Sequence, residues 1–389
     1  MANILILSKH NGGSTETIRK AGESKGHDMT VIDPSNLMIQ IARKKGYSRI
    51  YHLTGEEKGQ RLYKKSYDSV ICRLGGLSYY DKAVVRQMNY LNIPITHTCS
   101  GIQNAQDKFL AHQLMSISNI TQPTTVLVND PKNYSLLVEK VGGYPCIAKF
   151  TTGSQAAGVY PLLNKASGKI FFKLAERIKD KSLILQQFID TSENDKVSDY
   201  RVFVIDGEIE AVMKRTGQEH DLVANISTGG TGESATLTAE QEQMCLDAAD
   251  ACQLKNSICG VDLLVDKDGK NYIIETNGNP GLKIIEYTGI PLDDKIIQFA
   301  ERLANTGVQM CIEPLTSPYK FPKQQTAQSN KFLQEFKQMV QKAFDKTPKV
   351  ESLFASDPSV SVHPNPNFKQ QQRTNNKNIK VVKPQDRRW

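Results

Sequence analysis

Over residues 1–95 the apolar positions fall into short runs separated by helical stripes. Asn3–Leu7, Met29–Ile32, Ser69–Cys72 and Ile93–Thr96 read as strands, with Ser14–Lys25 and Asp81–Leu91 as helices between them. Alternation of this kind predicts an α/β domain with a largely parallel sheet. Gln106–Ser118 predicts a further helix, and Thr124–Val128 and Cys146–Phe150 predict strands. From Leu183 to Asn277 the pattern becomes hairpins plus one long helix, Ala239–Cys252, which favours an antiparallel sheet.

The pattern changes at Asn305. Pro314, Pro318 and Pro322 with Gln-rich sequence read as a linker, and Asn330–Asp345 carries a 3.6-period stripe of Phe332, Leu333, Phe336, Met339, Val340 and Phe344, suited to one amphipathic helix. Residues 347–389 are rich in Pro, Asn, Gln and Lys and poor in aliphatic side chains, so they predict disorder. Charge divides at the same place. Residues 306–389 hold 14 Lys+Arg and 6 Asp+Glu, and subtracting these from the chain totals of 49 and 41 leaves 35 of each sign before them. The basic balance therefore belongs to the tail. Such a tail suits weak, salt-dependent contact with RNA or an acidic partner, a plain solubilising segment, or a segment that is itself modified.

At 389 residues the chain is long enough for two or three domains. No stretch reaches the roughly 18 uncharged apolar residues of a membrane helix, and Met1–Leu7 lacks the features of a signal peptide. Seven cysteines without a Cys-x-x-Cys pair point to a reducing, cytoplasmic setting. Cys245, Cys252 and Cys259, spaced by seven, read as packing.

Three segments carry chemistry. In the first, Val261–Val265 and Tyr272–Glu275 flank Asp268-Gly269, a dipeptide suited to a two-residue hairpin turn. That turn opposes residues whose numbers sum to 537, so Asp262 faces Glu275, and Asn277 shares the face of Glu275. Two carboxylates and an amide oxygen are hard ligands suited to a magnesium ion that also bridges phosphates. A solvated acidic face is the competing reading, which fits poorly with the apolar flanks of Asp262. In the second, Lys149 ends a buried strand before a small-residue loop containing Gly153, Ser154 and Gly158, whose backbone N–H groups could cradle phosphates. It is neither a Walker A loop nor a dinucleotide fingerprint, and a plain hairpin turn is an equal alternative. In the third, an Asp206-Gly207 turn opposes residues summing to 413, placing Asp199 across from Lys214 with Arg201 on their face. This is either a structural ion pair or a basic cluster that stabilises charge developing in phosphoryl transfer.

In this order the residues resemble the ATP-grasp superfamily and, within it, the RimK-like ligases, from about residue 2 to residue 304. The resemblance is carried by Ile4–Ser8, Ile71-Cys72-Arg73-Leu74-Gly75, Gln106-Asp107-Lys108, the Lys149 loop, Leu185–Ile189, Asp199-Tyr200-Arg201, Gly260-Val261-Asp262 and Glu275-Thr276-Asn277-Gly278-Asn279-Pro280-Gly281. It implies an ATP-grasp fold of the α/β and α+β class. The expected parts are an N-terminal α/β domain (1–96), two ATP-clamping subdomains (97–185 and 186–305), a linker with a helix (306–346) and a basic tail (347–389). It implies that Lys108, Lys149, Gly153 and Ser154 meet the nucleotide phosphates, that Gln187 and Phe188 read adenine, and that Asp199 and Asn225 contact nucleotide. Asp262, Glu275 and Asn277 would hold two Mg2+ or Mn2+ ions, and Arg215 with Arg201 would stabilise the transferring phosphate. The implied reaction phosphorylates a carboxylate with ATP and lets an amine displace phosphate. Its carboxylate substrate is a protein, a peptide or a small metabolite, and its amine is an amino acid. The alternative is an inactive ATP-binding protein that recruits partners through its tail.

This chain departs from the RimK pattern in three places. Ala156 replaces a loop glycine, Gln187 replaces a hinge glutamate, and Val223 stands where RimK has an arginine, two residues before Asn225. The last departure predicts that glutamate is not the only amino acid added.

Overall fold

A computed structural model describes residues 1–42, 48–53, 60–62, 66–74, 78–151, 158–177, 182–219, 222, 224 and 229–306. The expected linker helix and the basic tail lie outside the described residues, as do Gly153, Ser154, Ala156, Val223 and Asn225.

The N-terminal region is built on β1 (Asn3–Leu7), α1 (Ser14–Ser24) and β2 (Asp28–Ile32). β1 is central in a parallel sheet of order β2-β1-β6, with β6 at Ser69–Cys72. Every residue of Ile4–Leu7 is fully buried because both faces of β1 are covered. Ile4 and Ile6 face α1, while Leu5 and Leu7 join Val84, Val85 and Met88 of α2 (Tyr79–Tyr90). Of the expected strand at Ile93–Thr96, only a parallel bridge between Ile95 and Val70 forms. The sequence reading passed over a small antiparallel sheet of β3 (Leu37–Gln40), β4 (Arg49–His52) and β5 (Gln60–Leu62). Its strands are 3 or 4 residues long, too short for periodicity to register.

The single helix expected over Gln106–Ser118 is two helices, α3 (Cys99–Gln106) and α4 (Lys108–Ile117). Asp107 breaks the run with an extended backbone, and its carboxylate accepts hydrogen bonds from the N–H groups of Phe109 and Leu110. That is an N-cap, and it makes Lys108 the first residue of α4.

A four-stranded antiparallel sheet follows, of order β7-β10-β8-β9. It contains β7 (Thr125–Val128), β8 (Cys146–Phe150), β9 (Val159–Leu162) and β10 (Leu183–Gln187), with α5 (Tyr134–Lys140) and α6 (Lys165–Ala175) in the connections. The last sheet is antiparallel and five-stranded, of order β13-β12-β11-β14-β15. Its strands are β11 (Ser198–Ile205), β12 (Glu208–Thr216), β13 (Thr231–Ser234), β14 (Ile258–Val265) and β15 (Asn271–Asn277). On one face lies α7 (Ala239–Ala251), where Cys245, Cys252 and Cys259 are buried with Val202, Val204 and Val261, as packing requires. The six described cysteines are all buried, and none of them forms a disulfide. On the other face, past α8 (Ile284–Thr288), lies α9 (Leu292–Thr306). Ile296, Ile297, Ala300 and Leu303 of α9 share one core with Ile4 and Ile6 of β1 and with Phe203 and Ile258 of the five-stranded sheet. This apolar stripe of α9 joins the N-terminal sheet to the five-stranded one. None of the described helices is long and apolar enough to cross a membrane.

Candidate active site

The five-stranded sheet carries a ladder of charges across one face. β11 supplies Asp199 and Arg201, two residues apart and therefore on the same face. Asp199 is opposed by Arg215 of β12, and Arg201 by Asp262 of β14. Asp262 is in turn opposed by Glu275 of β15. The contacts follow the register. Arg215 donates through Nε and Nη2 to both oxygens of Asp199, at 2.6 and 2.8 Å. Arg201 grips Asp262 in the same bidentate way at 2.5 and 2.9 Å, and Nη2 of Arg215 reaches the same carboxylate at 3.1 Å.

The expected Asp199–Lys214 opposition is corrected here. The Asp206-Gly207 turn does set the first pairs as expected, with Ile205 opposite Glu208, but Glu210 is an extra residue in β12. This β-bulge shifts every later pair by one and brings Arg215 into line. Lys214 points the other way, 3.7 Å from Glu193, while the bulged Glu210 pairs with Lys295 of α9. The Asp262–Glu275 opposition stands, but its origin differs from the one expected. The loop closes between Asp266 and Lys270, with Gly269 at φ 78°, and pairs Val265 with Asn271. An extra residue, Ile274, then restores the register at Asp262.

Burial makes these pairs strong. Asp199 and Asp262 are 4% and 5% exposed. Burial works against the charge on Asp262, but Arg201 and Arg215 outweigh it and hold its pKa at about 2. Asp199 is pushed up towards 6 by burial and by the Asp262 charge, against the pull of Arg215. Glu275 is also opposed by burial, yet Lys108 lowers its pKa by an ion pair from the first turn of α4. The backbone N–H of Lys108 donates to Thr151 O at 2.9 Å, which ties α4 to the end of β8.

Lys149 lies in β8, 7% exposed, and among the described residues pairs with no carboxylate; its ammonium donates to Gln186 Oε1 at 2.6 Å. Burial, the largest influence, lowers its pKa to about 8. Gln186 donates to Nε2 of buried His112 and to Thr125, both at 2.9 Å, and His112 Nδ1 bonds Gln122 Oε1. The donors run in one direction, from Lys149 through Gln186 and His112 to Gln122, so His112 is neutral. Burial holds its pKa down to about 4. Gln186 and His112 were missed in the sequence. The one signal for Gln186 was a polar residue directly after the apolar run Leu183-Ile184-Leu185 and within the same strand.

Other expected residues have structural bonds. The backbone N–H of Gln187 donates to Thr124 O at 2.8 Å, and its side chain accepts from the N–H of Thr124 at 3.2 Å. Phe188 follows directly after β10. Asn277 ends β15, and its side-chain oxygen accepts from the N–H of Asn279 at 2.9 Å.

The donor set fits a magnesium ion bound with nucleotide. Among the described residues no three His, Cys, Asp or Glu side chains converge, so no all-carboxylate cage exists there. Two opposed carboxylates and an amide oxygen leave positions for phosphate oxygens and water, as magnesium prefers. The two carboxylates already hold three cationic side chains, Arg201, Arg215 and Lys108, and the charge of Glu275 also acts on Lys149. An incoming cation and polyphosphate could exchange partners with them.

Comparison with known proteins decides what this arrangement belongs to. Residues 105–300 match the RimK-like ATP-grasp domain, and residues 2–102 match the RimK PreATP-grasp domain. The chain belongs to the RimK-like ATP-grasp family. It is 33% identical over 304 residues to a probable alpha-L-glutamate ligase of Vibrio atlanticus (strain LGP32), covering 77% of this chain and 96% of the relative. It is 31% identical to a protein of the same description from Halorhodospira halophila (strain DSM 244 / SL1), covering 78% and 96%. Among solved structures, the fold is similar to macrocyclase MdnC bound with precursor peptide MdnA from Microcystis aeruginosa MRC. The TM-score is 0.57, with 16% identity over 78% of this chain and 100% of that one. It is also similar to the ATP-grasp ligase PsnB complexed with a phosphomimetic variant of its minimal precursor, Mg and ADP, at a TM-score of 0.56 and 17% identity, over 76% and 98%. The chain is thus an ATP-binding enzyme of the ligase class, in a family that works with ATP and magnesium.

Proposed function

We propose that this ligase joins an amino acid to the carboxylate of a protein or peptide chain through an acyl phosphate. The observation that carries the reading is the placement of Asp262. It stands between two arginines and directly opposite Glu275, on a face that Lys108 and Lys149 approach from other elements. The relatives described as glutamate ligases and the structural neighbours holding precursor peptides support the substrate class.

In this reading residues 97–185 and 186–305 clamp ATP between them, with Gln187 and Phe188 beside adenine. Gly153 and Ser154 would meet the phosphates, and Asn225 would supply a further nucleotide contact. Asp262, Glu275 and Asn277 would hold magnesium, two ions in the fullest form, which neutralises phosphate charge when bound. The acceptor carboxylate oxygen attacks the γ-phosphorus, the bond to the β-γ bridging oxygen breaks, and ADP leaves. The amine nitrogen then attacks the acyl carbon, inorganic phosphate departs, and the nitrogen loses a proton. Arg201 and Arg215 would face the charge that grows on the transferring group, on the same face as the carboxylate of Asp262. Lys108 and Lys149 hold the polyphosphate in line. Most of the acceleration comes from positioning and fixed charge, so no side-chain nucleophile is required.

The test is intact-mass spectrometry of candidate acceptor proteins and peptides after incubation with enzyme, ATP, magnesium and a panel of amino acids. An added-residue mass shift that needs ATP is the expected result. ADP release without any acceptor modification would overturn the peptide-ligase reading.

A further inference from the structure

Arg73 is a buried cation with no ion-pair partner among the described residues. Its N–H donates to Leu7 O at 2.9 Å, so it sits just beyond the carboxyl ends of β1 and β6. The crevice outside strand ends of a parallel sheet is where such folds receive ligands. The residue is 7% exposed. Nη2 donates to Pro280 O at 2.8 Å, while Nη1 is buried and has no hydrogen-bond partner. Among the described residues no carboxylate forms an ion pair with it, and burial lowers its pKa only to about 10, so it is charged at neutral pH.

A guanidinium serving only to clamp Pro280 would leave an expensive charge behind. An unpaired buried ion costs several kcal/mol in general, and a neutral glutamine could make the same single bond. The position gives the charge a use. Pro280 lies three residues after Asn277, in the loop that ends the metal-binding strand. A Cβ built on Gly260 would meet Pro280 Cβ at 3.1 Å and Arg201 Cδ and Nη1 at 3.4 Å. Arg73, Pro280, Gly260 and Arg201 therefore form a continuous line from the N-terminal sheet to the charge ladder. The same loop is fastened again where the N–H of Leu282 donates to Ser14 Oγ at the start of α1. One substrate could span this distance with its reacting group at Arg201 and a second anionic group at Arg73.

We propose that Arg73 seats a substrate carboxylate other than the one that is phosphorylated, carried either by the amino acid or by the acceptor chain end. The proposal rests on the ligase reading for the identity of its ligand. A planar carboxylate can take both free donor edges of a guanidinium, which fixes its direction as well as its place. Such a contact would hold the amino acid or the chain end in register while the other carboxylate reacts.

The test is equilibrium calorimetry on the full chain in the presence of ADP and magnesium. One pair of probes is L-glutamate and its α-amide, and the other is a glutamate-ending hexapeptide with a free or an amidated C-terminus. In one pair the acid should bind about 10- to 100-fold more tightly than the amide, the range of a hydrogen bond to a charged group. The pair that discriminates identifies the source of the carboxylate. Arg73→Gln should erase the discrimination and leave ADP affinity within about twofold, and Arg73→Lys should keep part of it. Equal binding of acid and amide in both pairs by the wild type would overturn the proposal, as would discrimination that survives Arg73→Gln. If Arg73→Gln does not fold, the wild-type comparison and Arg73→Lys still decide. Because binding needs no turnover, an enzyme that forms no amide would sink the ligase reading and leave this result standing.

Discussion

Arg201 and Asp262 face each other across β11 and β14 and share two hydrogen bonds, while Arg215 takes a third position on the same carboxylate. Removing the charge at buried Asp262 leaves two half-buried arginines short of a partner. Asp262→Asn should cost about 3–5 kcal/mol of folding stability, the range for breaking a buried ion pair, and lower turnover at least about 100-fold. Urea denaturation with and without ADP and magnesium, alongside an ADP-release assay, measures both. A stable variant with normal turnover would refute the role of Asp262.

Lys149 is held by Gln186, which is in turn held by His112. Lys149→Ala should weaken ATP binding or slow turnover by roughly 1–3 kcal/mol. Gln186→Leu should raise the KM for ATP by a smaller amount with little change in kcat, because the lysine remains but loses its acceptor. Equal effects of Gln186→Leu on a substrate that does not touch ATP would point to general misfolding.

The lowered pKa of Lys149, about 8, sets a pH dependence. Bound phosphates favour the protonated ammonium, so the free protein must take up a proton when it binds ATP above that pH. Affinity should therefore fall as pH rises through about 8, and Lys149→Ala should flatten that fall. Measuring the Kd for ADP and for ATP between pH 7 and 9.5 checks the sign.

Much of this arrangement was legible in the sequence, and the part that was not has a local cause. Asp199, Arg201, Asp262 and Glu275 were picked out from the two hairpins, because charged residues inside apolar strands need a reason to be there, and Arg215 came from the family resemblance. What could not be read was the bulge in each hairpin. An extra Glu210 replaces Lys214 with Arg215 as the partner of Asp199. In the second hairpin a longer turn and the extra Ile274 offset one another and leave Asp262 opposite Glu275. A bulge is one residue wide and has no composition of its own, so the pairing energy of the charges decides it. The polar partners His112 and Gln122 were invisible for a related reason, since α4 brings His112 to Gln186, and the segment after α4 brings Gln122 to His112, only in three dimensions. The break at Asp107, by contrast, had a readable N-cap residue.

His97 offers a stability test away from the site. It is fully buried, and the donors run from the Cys72 N–H to Thr96 Oγ1, from Thr96 to His97 Nδ1, and from His97 Nε2 to Ile258 O at 2.7 Å. Burial, aided by the Arg73 charge, lowers its pKa to about 4. The unfolded chain, titrating near 6.5, binds the extra proton first, so stability should fall as pH drops from about 6.5 to 4. The loss is on the order of 3 kcal/mol at most. His97→Gln should be less stable at pH 7 and show a shallower acid dependence, and an unchanged slope would exclude His97 as its source.

The resemblance to RimK implies that Val223 replaces an arginine. A panel of amino acids offered with one acceptor should show that glutamate is not the sole amine used, with at least one uncharged amino acid incorporated at a comparable rate. Strict glutamate preference would contradict this. Introducing the charge by Val223→Arg should shift the panel towards glutamate.

Asp262 and Glu275 are proposed as the centre of an ATP- and magnesium-dependent amide-forming site. The most direct measurement is product mass and ADP release, recorded together, for wild type and Glu275→Gln, with circular dichroism showing that both are folded. The expected result is amide product and ADP in equal amounts from wild type with ATP and magnesium, and neither from Glu275→Gln. Full product formation by a folded Glu275→Gln protein would contradict the account.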